Sequence, residues 1–309
     1  MSRDSIEAVL FGAAIGDALG WPVEFSALGE IKEKYGPQGI QELPDPAHVT
    51  DDTQMTMALA EGLLDAGVEA GLDAQMNAVG QRFVAWLRRQ SDPDYSRAPG
   101  VASMKGSSRF EQGIPWRESG GLDSKGCGAA MRVAAVGYLY QHDPARLKEV
   151  AASTAMITHR HPTAVASAVG AAWAVKLALD GAPVGRLLHN VHEATLGMSD
   201  EFSDTLLRVG QVGGLADEEA AIRHIGAGWV GDQAVALAIY CVIRYPNDYA
   251  GCIRRGANLT GDSDSVASIA GGISAAYLGL EAIPAGWRNQ VESAEELANL
   301  SARLAAARR

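Results

Sequence analysis

The chain has 309 residues and a mass of 32.4 kDa, which is enough to bury a sizeable core. Its 47% of apolar and 20% of charged residues are typical of a globular protein and exclude a disordered one. With 26 Lys and Arg against 37 Asp and Glu, the net charge is −11, which argues against a surface that binds nucleic acid or anionic lipid. The three scattered cysteines are too few for a disulfide framework or a thiolate zinc site, so we expect a cytoplasmic protein.

Blocks rich in Ala and Leu, with apolar residues at helical spacing, dominate the sequence. The alternation that marks half-buried strands is almost absent. We therefore predict an all-α fold, a compact single domain that spans residues 1–309. The predicted helices cover approximately residues 5–19, 51–66, 72–90, 129–141, 144–157, 162–180, 183–198, 216–227, 230–245, 247–258, 264–280 and 289–307. The longest predicted loop, 92–125, is long enough to indicate a functional role.

Two of the predicted helices are apolar enough to resemble membrane segments. Ala8–Gly16 follows acidic residues and is closed by Asp17, without the cleavage pattern of a signal peptide. Ala164–Val175 stops at Lys176, well short of the roughly 20 residues that a membrane span needs. We predict that both are buried helices and that the protein has no membrane partner.

Glycine interrupts several of these helices, for example at Gly12, Gly16 and Gly271. Each such glycine costs a helix about 0.5–1 kcal/mol relative to alanine, so another interaction must compensate. We predict that these positions mark close packing of one helix against another.

The first predicted helix runs into the segment Gly16–Phe25, in which Glu24 lies between Val23 and Phe25. A carboxylate between apolar neighbours tends to have a perturbed pKa, which suits acid–base chemistry or ligand binding. The alternative is an ordinary carboxylate at a helix end.

The helix predicted from residue 51 begins with Thr50, Asp51 and Asp52. One acid or hydroxyl before an apolar run is an ordinary N-cap, and acids there favour the helix dipole. Two adjacent carboxylates repel each other unless a cation lies between them, so capping explains only one of them.

The helix predicted from residue 264 has a matching start, with Asp262, Asp264 and Ser265. Val266 and Ala267 stand where an EF-hand requires an oxygen ligand and a glycine, which excludes that calcium loop. Together the two helix starts offer four carboxylates and two hydroxyls, an all-oxygen set that selects Mg²⁺ or Mn²⁺ over Zn²⁺. If they are adjacent in space, they can hold a pair of ions roughly 3.5–4 Å apart.

The segment Ser124–Arg132 joins a glycine-containing turn to an apolar helix. Glycines before a helix let backbone N–H groups approach an anion, and a helix N-terminus favours phosphate. The spacing matches neither a P-loop nor a dinucleotide fingerprint. A literal GxGxxG pattern at Gly226, Gly228 and Gly231 follows a predicted helix rather than a strand, so it does not indicate a dinucleotide-binding fold.

His159 lies where one predicted helix ends and another begins. A histidine in that place is either a simple helix cap or a group that belongs to a site. The sequence contains no GxSxG elbow and no cysteine with an evident partner base, so nucleophilic catalysis is not indicated.

Six segments, in order, resemble the ADP-ribosylglycohydrolase family, which includes dinitrogenase reductase-activating glycohydrolases and vertebrate ADP-ribosyl-acceptor hydrolases. They are GDALGWPVEF, VTDDTQMTMALAEGL, SKGCGAAMRVAAVG, ITHRHPTAVASA, GAGWVGDQAVALAIYC and GDSDSVASIAGGISAAYLG. Each is weak alone, but the set runs from Gly16 to Gly279 and is highly specific. The resemblance implies a compact all-α fold around two divalent cations, Mg²⁺ first and Mn²⁺ second, and hydrolysis of the glycosidic bond of ADP-ribose.

The resemblance also implies roles for individual residues. Glu24 would bind metal or transfer a proton, with Asp262 as the other candidate proton carrier, and His159 and Trp229 would line the substrate cleft. The implied metal ligands are Thr50, Asp51, Asp52, Asp262, Asp264 and Ser265. The implied diphosphate loop consists of Ser124, Lys125, Gly126, Cys127 and Gly128.

Two departures from the family pattern lie where substrate preference can be set. Cys127 replaces a common Asn, and Gly231–Gln233 replaces Ala-Glu-Glu. We predict an enzyme that releases ADP-ribose from an acceptor, arginine on a protein first, with serine, O-acetyl-ADP-ribose or a nucleotide conjugate as alternatives. The expected partner is an ADP-ribosylated protein or an ADP-ribose-containing small molecule. A non-catalytic crystallin-like relative and a phosphohydrolase that releases AMP are the alternatives from other classes.

Overall fold

The computed structural model describes residues 3–308, and within this range it is built from seventeen α-helices. They are α1 (Arg3–Gly20), α2 (Leu28–Tyr35), α3 (Asp51–Ala66), α4 (Leu72–Arg89), α5 (Val101–Glu111), α6 (Trp116–Ser119), α7 (Ala134–Leu139), α8 (Pro144–Met156), α9 (Pro162–Leu179), α10 (Leu187–Thr195), α11 (Asp200–Val212), α12 (Glu218–Ile225), α13 (Gly231–Arg244), α14 (Tyr249–Ala257), α15 (Ser263–Leu278), α16 (Ala285–Gln290) and α17 (Ala294–Ala307). Residues 3–308 contain three isolated β-bridges and no strand, so the all-α prediction is confirmed. The extent of a single domain over residues 1–309 stays a prediction.

Helices α1 and α15 pack backbone against backbone, and this contact positions the site. Gly12, Gly16 and Gly20 follow one another at four-residue intervals on α1. A methyl group at Gly16 would lie 2.1 Å from the carbonyl oxygen of Ala267, and one at Gly20 would lie 2.4 Å from Cα of Asp264. The predicted close packing is confirmed here. It holds the C-terminal end of α1 against the N-terminal end of α15.

Buried apolar side chains form one cluster that extends from Ile6 to Leu304. The two apolar segments singled out in the sequence lie within it. Ser5–Val23 and Pro162–Leu179 are long and apolar enough to cross a membrane, but 83% and 72% of these windows are buried inside the protein. This burial is typical of core helices, as the sequence predicts.

The long loop predicted over residues 92–125 is wrong, because this range contains α5 and α6. The Ser- and Gly-rich sequence of α5 has low helix propensity, which tertiary packing overrides. Gly106 lies so close to the backbone of Thr158 that a methyl group there would be 2.5 Å from its Cα, and the ring of Phe110 covers Gly80.

Helix α11 is absent from the predicted helices, as are the short α2 and α16. Its signal is nevertheless present in the sequence. Ser199 caps the helix by accepting a hydrogen bond from the backbone N of Phe202 (3.3 Å), and Phe202, Leu206 and Val209 form its buried face.

Candidate functional site

One cleft, with a volume of about 350 Å³, brings together side chains from distant parts of the sequence. The predicted site residues that line it are Glu24, Asp51, Asp52, Gly126, Cys127, Gly128, His159, Trp229, Asp262, Asp264 and Ser265. Thr50 is buried next to it, and Ser124 and Lys125 do not line it. The structure therefore places most of the predicted residues around one space.

The first acidic cluster is held in place by Asp17, a carboxylate buried inside α1. Asp17 accepts hydrogen bonds from the backbone N and Oγ1 of Thr50 (3.0 and 2.9 Å) and from the backbone N and Oγ1 of Thr53 (3.1 and 2.6 Å). Thr50 is the N-cap of α3, because its Oγ1 accepts a hydrogen bond from the backbone N of Asp52. These bonds fix the first turn of α3 against α1 and leave Asp51 and Asp52 to line the cleft.

The second acidic cluster, at the start of α15, contacts the first. Ser265 Oγ donates a hydrogen bond to Asp52 Oδ2 over 3.2 Å. Asp262 is the N-cap residue of α15, but its side chain does not cap the helix. Instead its Oδ2 accepts a hydrogen bond from the thiol of Cys127 at 2.8 Å. The two helix starts, more than 200 residues apart, thus form one acidic site.

The arrangement of the acidic oxygens fits a divalent cation. One oxygen each from Glu24, Asp262 and Asp264 lie within 4.8 Å of one another. Asp52 Oδ1 is buried and has no hydrogen-bond partner among the described residues. A buried charged oxygen without a partner is destabilising, so such an atom calls for a cation or a water. A donor set made only of oxygen suits a hard ion such as Mg²⁺ or Mn²⁺.

Burial and mutual repulsion raise the pKa of the carboxylates in this site. Burial, with repulsion from Asp264, raises the pKa of Asp17 and that of Asp51 to about 7. The same two causes, with further repulsion from the other acids, raise the pKa of Glu24 to about 10. Burial also raises the pKa of Asp52, Asp262 and Asp264. Such perturbed groups gathered in a cleft are typical of functional sites.

Arg132 is a buried cation close to these acids. Its Nη2 donates to the carbonyl oxygen of Thr154 (3.0 Å) and to Oγ1 of Thr158 (2.7 Å), and its guanidinium lies 4.4 Å from the ring centroid of Phe83. Burial lowers the pKa of Arg132 to about 9, so the group remains charged at neutral pH. The positive charge of Arg132 lowers the pKa of Asp51, against the effect of burial, and so offsets part of the negative charge of the acidic site.

His159 is buried beside the cleft and is neutral. Its Nδ1 lies 2.7 Å from Oγ1 of Thr158, which already accepts a hydrogen bond from Arg132. Burial, together with the charge of Arg132, lowers the pKa of His159 to about 3. The Thr158 hydroxyl hydrogen is available for Nδ1, which favours the tautomer with hydrogen on Nε2. Nε2 faces Gly126 and Gly128, where a methyl group would lie 3.6 and 3.3 Å from it.

The predicted diphosphate loop is divided between the cleft and the surface. Gly126, Cys127 and Gly128 line the cleft, the last two at the 3₁₀ turn before α7. Lys125 instead forms an exposed ion pair with Glu201, with Nζ 3.2 Å from Oε2. The role predicted for Ser124 and Lys125 therefore has no support from the lining of the cleft and stays a prediction.

Two aromatic rings lie at the cleft. Phe25 and Trp229 are stacked, with ring centroids 5.3 Å apart and an interplanar angle of 19°. Both are exposed although they are large and apolar. Phe25, at φ 66°, and Ala98, at φ 44°, have left-handed backbones that non-glycine residues rarely adopt, and both line the cleft. Such strain concentrates at functional sites.

Four residues that shape the site have no role predicted from the sequence. They are Asp17, Phe25, Gly100 and Arg132. Gly100 donates its backbone N–H to Asp51 Oδ2 over 3.0 Å. The sequence does contain a signal for Asp17, because it is an acid inside an otherwise apolar helix. The residues next to Gly100 in the sequence contain no signal that predicts its contact with Asp51.

Comparisons with known proteins show what the whole chain is similar to. A family model described as ADP-ribosylglycohydrolase matches residues 1–309. The chain is 28% identical to ADP-ribosylhydrolase ARH3 of Mus musculus, over 93% of this chain and 87% of that protein. It is 25% identical to ADP-ribosylarginine hydrolase Tri1 of Serratia proteamaculans, over 98% and 79%. A solved structure described as an ADP-ribosylglycohydrolase-related protein complex is similar, with a TM-score of 0.79, 27% identity and 99% of both chains covered.

Proposed function

The chain belongs to the ADP-ribosylglycohydrolase family, and from this premise we propose that it removes ADP-ribose from ADP-ribosylated arginine on protein with the help of two divalent cations. The observation that carries the proposal is the meeting of two acidic helix starts in one cleft, with one oxygen of Asp52 left without a partner. Mg²⁺ is the first choice of ion and Mn²⁺ the second, because every donor is an oxygen.

The acidic clusters would hold the cations. The residues proposed as ligands are Thr50, Asp51, Asp52, Asp262, Asp264 and Ser265. Once bound there, divalent cations would help to orient the ribose and would lower the pKa of a bound water. Asp17 supports this set because it fixes both Thr50 and the first turn of α3.

Two carboxylates are the proposed proton carriers when the glycosidic bond breaks. Glycosidic cleavage develops oxocarbenium character at the anomeric carbon and needs a proton for the leaving group. Glu24 lines the cleft, and its pKa is raised by burial and by the neighbouring acids, so it is the candidate donor. Asp262, close to Glu24, is the candidate acceptor of a proton from the attacking water.

The rest of the cleft would bind ADP-ribose away from the reacting bond. The loop at Gly126–Gly128 and the Nε2–H of His159 offer donors to the diphosphate. Phe25 and Trp229 offer aromatic faces to the base. Binding energy from these remote groups positions the anomeric carbon, which raises the rate of the chemical step.

Arginine is the first choice of acceptor. Five carboxylates line the cleft, and its described lining contains no lysine or arginine, so no fixed cation of the lining repels a guanidinium leaving group. The name of the relative from Serratia proteamaculans, ADP-ribosylarginine hydrolase, supports the same choice. Serine, O-acetyl-ADP-ribose and nucleotide conjugates remain the alternatives.

Cys127 and Gln233, which depart from the family pattern, are proposed to influence which acceptor is preferred. Cys127 contacts Asp262 directly, and Gln233 Oε1 accepts hydrogen bonds from the backbone N of Ala227 (2.9 Å) and Gly228 (3.3 Å). Gln233 thus fixes the turn that precedes Trp229. These positions would tune substrate preference without changing the metal ligands.

The test offers metal-stripped protein two substrates, an arginine-ADP-ribosylated and a serine-ADP-ribosylated protein, with and without Mg²⁺. Mass spectrometry follows the products. We expect intact ADP-ribose from the arginine substrate only when Mg²⁺ is present. Release of AMP would identify a phosphohydrolase instead, and activity that is unchanged after metal removal would contradict the cation requirement. No release from either protein would favour a small-molecule conjugate or a crystallin-like role.

A further inference from the structure

An ion pair outside the catalytic cleft connects two loops that are far apart in the sequence. Arg97 and Glu292 form a two-pronged contact, with Nη1 2.5 Å from Oε2 and Nη2 3.0 Å from Oε1. The Arg97 side chain is only 12% exposed. The pair lines a separate cavity of about 580 Å³, whose lining shares no residue with that of the catalytic cleft. It therefore has no direct access to substrate.

The same two side chains form hydrogen bonds with both the carbonyl oxygen and the backbone N–H of Val49. Arg97 Nη1 donates to the carbonyl oxygen of Val49 over 2.6 Å, and the backbone N of Val49 donates to Glu292 Oε2 over 2.9 Å. Val49 directly precedes Thr50, the first of the proposed ligands on α3. Charged partners make these hydrogen bonds stronger than neutral ones would be.

Arg97 also lies three residues before Gly100, which makes a second contact with the proposed ligands. After Arg97 the chain passes through Ala98, at φ 44°, to Gly100, whose N–H binds Asp51 Oδ2. An unfavourable backbone conformation such as that of Ala98 persists only when its surroundings fix it. Arg97, the neighbour of Ala98 in the chain, is itself held in place, because its Nη2 also donates to the carbonyl oxygen of Asp94 (2.9 Å).

The backbone of Glu292 is also held by a hydrogen bond. Its backbone N donates to the carbonyl oxygen of Ala47 over 2.9 Å, beside an isolated bridge between Ala47 and Val291. Hydrogen bonds thus connect residues 47 and 49, just before α3, to residue 292. These bonds join the C-terminal part of the chain to the start of the acidic cluster.

We infer that Arg97 and Glu292 are positioning residues that set the affinity of the site for divalent cations. The inference rests on the proposed function, since it takes Thr50, Asp51 and Asp52 as ligands. Cation affinity depends on how closely the ligand oxygens keep their geometry, and the groups that orient the ligands contribute to it. Here the orientation comes through the backbone of Val49 and through Gly100 rather than through direct contact with the ligands' side chains.

The experiment measures Mn²⁺ binding to the full chain by isothermal titration calorimetry, with the melting temperature as a second readout. The variants are Arg97→Met, Arg97→Lys, Glu292→Gln and the double variant Arg97→Met/Glu292→Gln. The matched control is Arg82→Met, which removes another two-pronged ion pair, to Asp65, from the wall of the same cavity.

We expect the Kd for Mn²⁺ to rise about 10-fold in Arg97→Met and Glu292→Gln, within the range usual for groups that orient metal ligands. The double variant is expected to lose less affinity than the two single losses combined, because both changes remove the ion pair between the two side chains. Arg97→Lys, which keeps one donor, is expected to lose less. Saturating Mn²⁺ is expected to restore kcat in all of them.

Two results would overturn the inference while the proposed function stands. One is Mn²⁺ binding as tight in Arg97→Met and Glu292→Gln as in the unaltered protein. The other is an equal loss of affinity in Arg82→Met, which would mean that general destabilisation is the cause. If the unaltered protein itself binds no Mn²⁺, the proposed function fails and this inference fails with it.

Discussion

At the scale of single residues, Asp52 shows how the site differs from an ordinary helix start. Its Oδ2 accepts a hydrogen bond from Ser265, while its Oδ1 is buried without a partner among residues 3–308. The side chain of an N-cap residue is hydrogen-bonded to the helix backbone. In α3 this role belongs to Thr50. Asp52 is therefore not needed as the cap of α3, and its Oδ1 is available for a ligand.

The substitution Asp52→Asn is expected to lower the rate of ADP-ribose release more than about 100-fold, because it removes a proposed ligand and a charge. Without added cation, the melting temperature is expected to stay equal or to rise, since the other acids repel the Asp52 charge. Activity assays and thermal melts check both. Asp123→Asn, at an exposed acid outside the cleft, is the control. Full activity in Asp52→Asn would exclude the two-cation mechanism.

The stacked pair of Phe25 and Trp229 yields a second prediction. The substitution Trp229→Ala is expected to raise KM about 10-fold and to change kcat less, because stacking between a base and an aromatic ring contributes about 1–3 kcal/mol. Steady-state kinetics separates the two constants. Tyr35→Ala removes a half-exposed ring outside the cleft and serves as the control. An unchanged KM would show that the pair does not contact the substrate.

Local sequence signals predicted some site residues and could not predict others. Asp51 and Asp52 stand out because two adjacent acids exceed the needs of one helix start. Asp17 acts through Thr50 and Thr53, and Arg97 acts through Glu292, 195 positions away. Roles that depend on such distant pairs leave no pattern in the neighbouring residues.

At the scale of elements, the contact between α1 and α15 fixes the distance between the two halves of the site. Asp17 and Glu24 come from α1 and the turn after it, and Asp262 and Asp264 come from the start of α15. Three glycines on α1 allow the two backbones to touch. Any added side-chain atom at these positions must push the halves apart.

The substitution Gly16→Ala is expected to destabilise the protein by about 1–3 kcal/mol, because the new methyl group would lie 2.1 Å from the Ala267 carbonyl oxygen. It is also expected to weaken Mn²⁺ binding. Denaturant unfolding and calorimetry measure the two effects. Gly29→Ala on α2 is the matched control, since its methyl group meets no atom within 4 Å. Equal stability of the two variants would contradict the role of this contact.

The elements predicted from sequence are those with a clear start and an apolar run. Helices α3 and α15 combine both signals, and the structure has them at Asp51–Ala66 and Ser263–Leu278. Helix α5 has neither a strong cap nor a high propensity, because Gly100 precedes it without a side-chain bond. It forms because Gly106 and Phe110 pack against neighbours distant in sequence, which a local pattern does not record.

At the scale of the whole molecule, the acidic site makes stability depend on pH. The pKa values of Asp17 and Asp51 are raised from 3.8 to about 7 by folding. Between these values the folded chain binds more protons than the unfolded one, so stability is lost as the pH rises. We expect the melting temperature of chelator-treated protein to fall between pH 5 and pH 8.

Added Mg²⁺ is expected to reverse much of this fall at pH 8, because it binds the folded carboxylates and not the unfolded chain. Differential scanning calorimetry with and without chelator provides the measurement. The variant Asp52→Asn is expected to show a shallower fall, since one repelling charge is gone. A melting temperature that rises with pH in the chelated protein would contradict the raised pKa values.

The contact between α1 and α15 also has a consequence for biosynthesis. Gly12 and Gly271 touch in the folded protein but are made 259 residues apart. At translation rates of about 5–20 residues per second, the apolar helix α1 waits roughly 13–50 s for its partner to be synthesised. The half of the acidic site that α15 carries does not exist during that time, so the nascent chain completes the acidic cleft only late in its synthesis.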